Sequence, residues 1–353
     1  MLTTDALVIG AGPVGLFQVF QLGLQEIGVH IVDALPYPGG QCAELYADKP
    51  IYDIPGIPVC TGRELTERLL QQIAPFQAPM HLGQHIEAIE PLPDGGWRVT
   101  AATGMQWTTR VVVVAAGVGA FVPRKPAVPG LDAFESGEKP QVGYHALDPD
   151  VCAGQQVVVM GGEDAALATA LQLADAGVCA RVTLLHRVAR YSADPALQSA
   201  VRHAIASGRL HAVVGQPVGI VSHDGRLTGL RLSTPDTGDH DTIELAADRL
   251  LPRLGLNPKL GPLAQWGLHM ERKQIAVDPA TFATSAHGIF AVGDINTYPG
   301  KRKLIVCGFH EATLAAYAAA ALVFPDRRAV MQYTTTSPRL HALLGVPGAA
   351  SGV

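Results

Sequence analysis

Cysteine is scarce in this sequence, and no two cysteines are close together. The five lie far apart over 353 residues, at Cys42, Cys60, Cys152, Cys179 and Cys307. Without a C-x-x-C or C-x-x-x-x-C spacing, the chain has neither a local redox dithiol nor a zinc knuckle. Thiol chemistry would require cysteines that the fold brings together, and we predict buried, unreactive thiols instead.

Charge and long apolar runs are also limited. Charged residues make up 16% of the chain and the formal net charge is −5, which argues against a broad nucleic-acid-binding face. No apolar run reaches the ~20 residues that span a bilayer, so we predict no membrane segment. The chain enters a strand pattern without the basic region of a signal peptide, and we expect a cytoplasmic protein. An apolar share of 48% and a length of 353 residues suit a globular protein of two domains.

The start of the chain carries a strand–turn–helix signature that reads ALVIGAGPVG. Gly10 permits a tight turn, Gly12 lets a pyrophosphate approach the backbone, and Gly15 permits close packing of helix on strand. Pro13 suits the first helical turn, which does not use the N–H that proline lacks. Asp33 follows about 20 residues later, where a carboxylate binds a ribose hydroxyl. Together these features predict a dinucleotide-binding fold.

A second signature, VVVMGGEDAA, occupies residues 157–166. Gly161 and Gly162 retain the turn, but Glu163 stands where the motif places the glycine nearest the pyrophosphate. Two dinucleotide folds in one chain indicate a flavoenzyme that passes electrons between a bound flavin and a pyridine nucleotide.

Strand and helix patterns alternate between and around these signatures, as in parallel α/β sheets. We predict buried strands at 6–9, 29–32 and 111–114, a hairpin at 86–92 and 97–101, and helices at 63–73 and 311–324. The Pro/Gly-rich stretch 36–58 is predicted to be a long ordered loop with a functional role.

Five further segments resemble the thioredoxin-reductase-like ferredoxin–NADP reductases over nearly the whole chain. They are GGQCAELY at 39–46, AAGVGAF at 115–121, GIFAVGDINTY at 288–298, GFHEA at 308–312 and YTTTS at 333–337. Thioredoxin reductases themselves carry a C-x-x-C in the nucleotide domain, and this chain has none, so it resembles the ferredoxin branch.

The resemblance implies an α/β fold of two Rossmann-like, three-layer ββα dinucleotide-binding domains. Residues 1–118 and 287–353 would form a discontinuous FAD-binding domain, and 119–286 an NAD(P)H-binding domain. It also implies a homodimer in which a C-terminal segment of one subunit covers the flavin of the other.

The resemblance assigns one set of residues to FAD, namely Gly10, Gly12, Pro13, Gly15, Asp33, Gln41, Tyr46, Ile86, Phe121, Asp294, Tyr333, Thr335 and Thr336. Tyr46 would stack on one face of the isoalloxazine, for which a flat aromatic side chain is suited. Tyr333 and the nearby threonines would cover the other face. Asp294 would cap a helix and bind a hydroxyl of the flavin chain.

A second set is assigned to NADPH, namely Gly161, Gly162, Asp164, Ala165, His186, Arg187 and Arg190. Related sequences usually have glycine where this chain has Glu163, and further arginines where it has Val188 and Ser192. A carboxylate beside a phosphate costs on the order of 1–4 kcal/mol at effective dielectrics of 80 to 20. The affinity for NADPH is therefore expected to be low or altered.

The activity that the resemblance implies is that of a ferredoxin–NADP⁺ reductase. A hydride passes from NADPH to N5 of FAD, and single electrons then pass to ferredoxin or flavodoxin. Two alternatives stay open. One is a flavoprotein with an impaired NADPH site that acts as a redox sensor or an electron carrier loaded by ferredoxin, and the other is an NAD(P)H:quinone or dye reductase. The basic residues at 301–303 and 124–125 are candidates for docking an acidic carrier.

Overall fold

A computed structural model describes residues 1–137, 140–144, 148–234, 242–327 and 333–346, without the side chains at 120–122 and 256–259. The chain divides into two compact units. Unit 1 comprises Met1–Phe121 and Pro258–Val353, and unit 2 comprises Val122–Asn257.

The helices of the described chain, in order, are α1 (Pro13–Leu24), α2 (Gln41–Glu44), α3 (Gly62–Ile73), α4 (Asp164–Ala176), α5 (Pro195–Ala206), α6 (Ile305–Val323) and α7 (Pro338–Leu344). The strands are β1 (Leu2–Ile9), β2 (Val29–Val32), β3 (Pro50–Ile51), β4 (Cys60–Thr61), β5 (Met80–His81), β6 (Ile86–Pro91), β7 (Trp97–Ala101), β8 (Gln106–Val114), β9 (Ala120–Pro123), β10 (Gln156–Met160), β11 (Arg181–His186), β12 (His211–Val214), β13 (Gln216–His223), β14 (Arg226–Ser233), β15 (Ile243–Ala246), β16 (Arg249–Pro252), β17 (Leu256–Lys259), β18 (Met270–Glu271), β19 (Gln274–Ala276), β20 (Ile289–Ala291) and β21 (Asn296–Thr297).

Unit 1 is built on a seven-stranded sheet in the order β5-β2-β1-β8-β7-β6, with β20 also paired to β8. The central strands β2, β1, β8 and β20 run parallel, while β6 and β7 form an antiparallel hairpin. Apolar residues on one face of the sheet pack against α1, α3 and α6. This arrangement places the carboxyl ends of β1, β2 and β20 at one edge, where α/β folds bind ligands.

Unit 2 has three layers. A parallel sheet in the order β12-β11-β10-β16 lies between two helices and an antiparallel sheet of β13-β14-β15. One buried cluster joins α4 and α5 to the parallel sheet, and the other joins the two sheets. The three-layer ββα organisation that the resemblance implies is therefore present in this unit.

Residues 258–286 belong to unit 1, whereas the sequence prediction placed the return of the chain at 287. The reason is packing within unit 1. Leu263, Leu268 and Ile275 are buried in the same cluster as the β6–β7 hairpin, and the Trp266 indole donates a 3.2 Å hydrogen bond to the Glu87 carbonyl.

Helix α6 begins at Ile305, six residues before the predicted start. It is the one described helix that is long and apolar enough to cross a membrane by length and composition. Its fully buried face is rich in alanine and packs within the core cluster that includes α1, and the same face carries the buried, ion-paired Glu311. These contacts are those of a core helix.

Two neighbouring histidines on β2 and β5 are expected to make stability depend on pH. His81 Nε2 lies 3.2 Å from His30 Nδ1, and burial lowers the pKa of both imidazoles. The unfolded chain therefore binds protons more readily, so stability is full above about pH 6.5 and falls as the pH drops below it.

Urea unfolding at pH 7.5 and pH 5.5 tests this. We expect the loss of unfolding free energy at the lower pH to be smaller in His81→Leu than in the unsubstituted protein. His211→Gln, at an exposed histidine of unit 2, should leave the loss unchanged. An equal loss in His81→Leu would contradict the assignment.

Candidate nucleotide-binding sites

The first glycine turn leaves a space above Gly12. Gly10 has φ +112°, and a Cβ there would lie 2.4 Å from the Ala115 carbonyl oxygen; a Cβ on Gly15 would lie 1.8 Å from the Gly10 carbonyl oxygen. A Cβ on Gly12 would meet no atom closer than the Gly40 Cα at 3.9 Å. Gly10 and Gly15 are thus required by close packing within the protein. Gly12 is not, and its lack of a side chain keeps the backbone accessible at the start of α1.

The predicted functional loop at 36–58 closes over this turn. The Gly39 amide donates a 2.8 Å hydrogen bond to the Ala11 carbonyl. Gly40 has φ +52°, and a Cβ there would lie 3.0 Å from the Gly12 Cα. The consecutive glycines at 39–40 were the signal in the sequence, because only glycine allows so close an approach of two backbones.

Asp33 at the end of β2 faces the same turn. Its Oδ2 accepts a 2.5 Å hydrogen bond from the Ala11 amide and its Oδ1 a 2.8 Å bond from the Leu35 amide. Burial raises the pKa of this carboxyl, against the lowering effect of both amides. Each oxygen keeps a lone pair free of these bonds, so the carboxylate can accept a ribose hydroxyl.

Tyr46 is half-buried two residues after the end of α2. Its hydroxyl accepts a 3.7 Å hydrogen bond from the Cys42 thiol, and burial raises the pKa of both groups. Cys42 is fully buried, as predicted for an unreactive thiol. The side-chain amide nitrogen of Gln41 lies beside Gly117, and a Cβ added to Gly117 would be 3.2 Å from it.

Asp294 lies in a single 3₁₀ turn, Gly293–Ile295, that follows β20. The prediction that it caps a helix is wrong, because Val292 occupies the cap position and Asp294 lies inside the turn. Its carboxylate is close enough to Tyr46 to contribute to the raised pKa of that phenol. It forms no hydrogen bond or ion pair with any residue that the structure describes, and is therefore available to a ligand.

The turn carrying Asp294 is held by Glu311, which is fully buried in α6. Its carboxylate accepts hydrogen bonds from the Gly293 amide at 2.7 Å, Asn296 Nδ2 at 2.9 Å, the Tyr298 hydroxyl at 3.0 Å and Lys301 Nζ at 2.5 Å. Sequence reasoning did not find this network.

Lys301 is consequently not a docking residue. Only 7% of its side chain is exposed, and it is ion-paired with Glu311. The prediction of a three-residue basic patch at 301–303 is corrected by this pairing, and Arg302 and Lys303 remain exposed. In the patch at 124–125, Lys125 is ion-paired with Glu135.

The second glycine turn lies at the carboxyl end of β10 in unit 2. Gly161 has φ +150°, and a Cβ there would lie 2.3 Å from the Arg253 carbonyl oxygen. A Cβ on Gly162 would lie 2.5 Å from the His186 ring. Glycine is therefore required at 161 by the backbone that follows β16, whereas a side chain at 162 would require the His186 ring on β11 to move.

Glu163 extends across the same edge of the sheet. Its backbone is extended and its side chain is exposed. Its Oε2 lies 3.5 Å from where a Cβ on Gly255 would be, just beyond β16. Burial and Arg187 lower the pKa of His186, and Glu163 opposes them. The carboxylate thus lies over the crevice between β10 and β16, where α/β folds bind phosphates.

The segment after β11 folds back onto this turn. The Ser192 amide donates a 2.8 Å bond to the Gly162 carbonyl, and the Asp194 amide donates a 2.7 Å bond to the Asp164 carboxylate. Asp164 therefore fixes this segment, while Ala165 is exposed in the first turn of α4. Arg187 and Arg190 are exposed and form no ion pair with a residue described here.

The family of the chain follows from comparison with known proteins. The sequence profile of the pyridine nucleotide-disulphide oxidoreductase family matches residues 4–319, which include both glycine turns. The chain belongs to this family.

Relatives within this group of oxidoreductases match nearly the whole chain. The ferredoxin–NADP reductase of Paracidovorax citrulli is 52% identical over 99% of this chain and 98% of its own length. The ferredoxin–NADP reductase of Leptothrix cholodnii is 53% identical over 97% and 91%. These matches confirm the resemblance found in the motifs, and the protein is an oxidoreductase.

Solved structures of thioredoxin reductases share the fold. The enzyme of Lactococcus lactis has a TM-score of 0.59 at 23% identity, with 91% of this chain and 99% of that chain covered. The enzyme of T. acidophilum has a TM-score of 0.60 at 20% identity, with the same coverage. The predicted thioredoxin-reductase-like α/β fold is confirmed.

Three further residues that were predicted to bind FAD lie in different elements of this oxidoreductase. Ile86 begins β6, shortly after a segment in which the Gln84 amide donates a 2.8 Å bond to the Asp33 carbonyl. The Phe121 backbone lies in β9, and its side chain is outside the described part of the chain. Pro13 is the first residue of α1.

The C-terminal segment docks at the far end of α1 from Gly12. Arg339 Nη1 donates a 3.0 Å hydrogen bond to the Gly23 carbonyl, which lies about 15 Å along α1 from the start of that helix. Tyr333 is 66% exposed, and Thr335 and Thr336 are exposed beside it. No hydrogen bond or ring contact joins these three residues to Tyr46 within the described part of the chain.

Proposed function

We propose that the protein is an FAD-dependent ferredoxin–NADP⁺ reductase. The observation that carries the proposal is the open backbone at Gly12, with Asp33 in contact with the same turn and an unpartnered Asp294 carboxylate near Tyr46 in the same unit. The names of relatives about 50% identical over nearly their whole length support the same activity.

The residues of unit 1 fit FAD. The amides at the start of α1 and the helix dipole favour a pyrophosphate above Gly12, Asp33 accepts a ribose hydroxyl, and Asp294 accepts a hydroxyl of the flavin chain. Tyr46 offers an aromatic face to the ring system. When bound, FAD supplies acceptance of two electrons and their release one at a time. The chain's own side chains bind and orient it.

Unit 2 would bind the pyridine nucleotide with reduced affinity. Arg187 and Arg190 provide the positive charge beside His186, and Glu163 opposes the pyrophosphate at the helix start. This observation favours the second candidate function, a flavoprotein that acts as a redox sensor or as a carrier loaded by reduced ferredoxin.

We further infer a cytoplasmic homodimer without a membrane or nucleic-acid partner. The exposure of Tyr333 and the docking of its segment away from Gly12 support a role for that segment on a partner subunit. Arg302 and Lys303 support docking of an acidic ferredoxin or flavodoxin.

Anaerobic mixing tests both candidates. The purified protein should show a flavin absorption spectrum that NADPH bleaches, and the bleached protein should reduce ferredoxin. Bleaching by NADH alone would indicate an altered donor, and reduction of a dye or quinone but not ferredoxin would indicate the dye-reductase alternative. A flavin bleached by dithionite or reduced ferredoxin but by neither nucleotide would support the second candidate. Absence of flavin after reconstitution with FAD would overturn the proposal.

A further inference from the structure

Two cysteines that are distant in sequence lie together in unit 2. Cys152 ends the 3₁₀ turn Pro149–Cys152 that precedes β10, and Cys179 lies between α4 and β11. Cys179 packs against the buried apolar cluster that contains Cys152, and each of the two thiols affects the pKa of the other. The surrounding backbone fixes this contact, because the Gly154 amide donates a 2.9 Å bond to the Val178 carbonyl and the Ala180 amide a 3.0 Å bond to the Gln155 carbonyl.

The two thiols differ in access. Cys152 is fully buried, whereas Cys179 is half-buried at the edge of the same apolar cluster. A small oxidant can therefore reach Cys179 first, and Cys152 is the neighbour that can respond. Cys42 and Cys60 provide a contrast, since both are fully buried and the Cys42 thiol donates to Tyr46.

The pKa values of the two thiols allow a slow reaction between them. Burial raises the pKa of both thiols, and the neighbouring Cys179 raises that of Cys152 further. The Arg249 guanidinium lowers the pKa of Cys152, and the Cys152 thiol lowers that of Cys179. Arg249 is held in place by a 2.9 Å bond from its Nε to Gln155 Oε1. A cation beside the buried thiol favours its thiolate once Cys179 has been oxidised.

We propose that Cys152 and Cys179 form a reversible disulfide when the protein meets a peroxide. The Cys179 thiolate attacks one peroxide oxygen, so that a sulfur–oxygen bond forms, the oxygen–oxygen bond breaks and hydroxide leaves. The Cys152 thiolate then attacks that sulfur, the sulfur–sulfur bond forms and a second hydroxide leaves. With hydrogen peroxide, two thiols and one peroxide give one disulfide and two water molecules.

The disulfide would join the segments that lead into β10 and β11. These are the strands whose carboxyl ends carry Gly161 and His186, and the bridge lies at their opposite ends. Because it closes a loop of the unfolded chain, it raises stability. It leaves the proposed nucleotide-binding residues untouched, so oxidation tightens unit 2 without altering its binding edge.

Mass spectrometry tests the bond in the full chain. The protein is treated with hydrogen peroxide, quenched with catalase, alkylated and digested. No lysine or arginine lies between Cys152 and Cys179, so trypsin leaves both cysteines in one peptide. Glu163 is the sole glutamate between them. A glutamate-specific protease therefore separates the two cysteines, and we expect one linked peptide pair, two masked thiols and full recovery with dithiothreitol.

Variants distinguish the bond from general oxidation. Cys307→Ser, at another half-buried cysteine, should keep the linked pair, whereas Cys152→Ser and Cys179→Ser should lose it. The peroxide-treated protein and Cys307→Ser should both unfold at a higher temperature than their reduced forms, and Cys152→Ala should show no such increase. Alkylation of both cysteines after peroxide, or Cys179 as a sulfinic acid beside free Cys152, would overturn the proposal.

Discussion

Gly12→Val is expected to abolish FAD binding while unit 1 remains folded. The backbone at Gly12 has φ −72° and ψ 179°, a conformation open to any residue, and the nearest atom to an added Cβ is 3.9 Å away. The valine side chain would occupy the space in which a pyrophosphate contacts the helix start. Since the direct contact of phosphate with several amides is lost, we expect FAD affinity to fall by about a hundredfold or more, roughly 2.7 kcal/mol.

Gly15→Ala is the matched comparison. Its Cβ would lie 1.8 Å from the Gly10 carbonyl oxygen, so the variant should lose stability as well as cofactor. Flavin fluorescence measures the binding of FAD by each apoprotein, and circular dichroism measures folding. A Gly12→Val protein that binds FAD normally would show that the cofactor does not use this turn.

Glu163→Gly should raise the affinity for NADPH by about tenfold or more. The carboxylate lies over the crevice where the pyrophosphate would bind, and removing a like charge there recovers on the order of 1–4 kcal/mol. Glu163→Gln retains most of the side-chain volume and removes the charge. If repulsion dominates, both variants should gain affinity, whereas a gain in Glu163→Gly alone would indicate steric crowding.

Titration of the flavin-loaded protein with NADP⁺ at two salt concentrations measures this effect. The charge-dependent part should shrink at higher salt because mobile ions screen the carboxylate. Glu244→Gln is the control, since it removes an exposed glutamate on β15 of the same unit. An unchanged affinity in both Glu163 variants would contradict the repulsion argument.

The sequence predicted the elements with strong local signals. Strand β2 and the β6–β7 hairpin lie within one residue of their predicted bounds. Three of the four residues of β2 are apolar, and a Pro-Asp-Gly-Gly turn defines the hairpin locally. Helix α3 begins one residue earlier than predicted, at a Thr61–Glu64 capping box. The glycine turn was also predictable, since each glycine in it has a separate backbone requirement.

Features that depend on long-range packing were not predictable. The burial of Lys301 follows from its pairing with Glu311, and an isolated Lys-Arg-Lys sequence carries no sign of such a partner. The assignment of residues 258–286 to unit 1 depends on side chains that pack against a distant hairpin. Likewise, the meeting of Cys152 and Cys179 depends on how two strand entrances align.

The saturation of Glu311 has a consequence for how a cofactor joins unit 1. A carboxylate offers about four acceptor positions, and Glu311 uses four on protein donors. Its hydrogen bonds therefore hold the Asp294 turn in one conformation. The ordering entropy of that turn is then lost during folding rather than on association. Arrival of a ligand need not wait for the turn to form, and its association rate depends on diffusion and access.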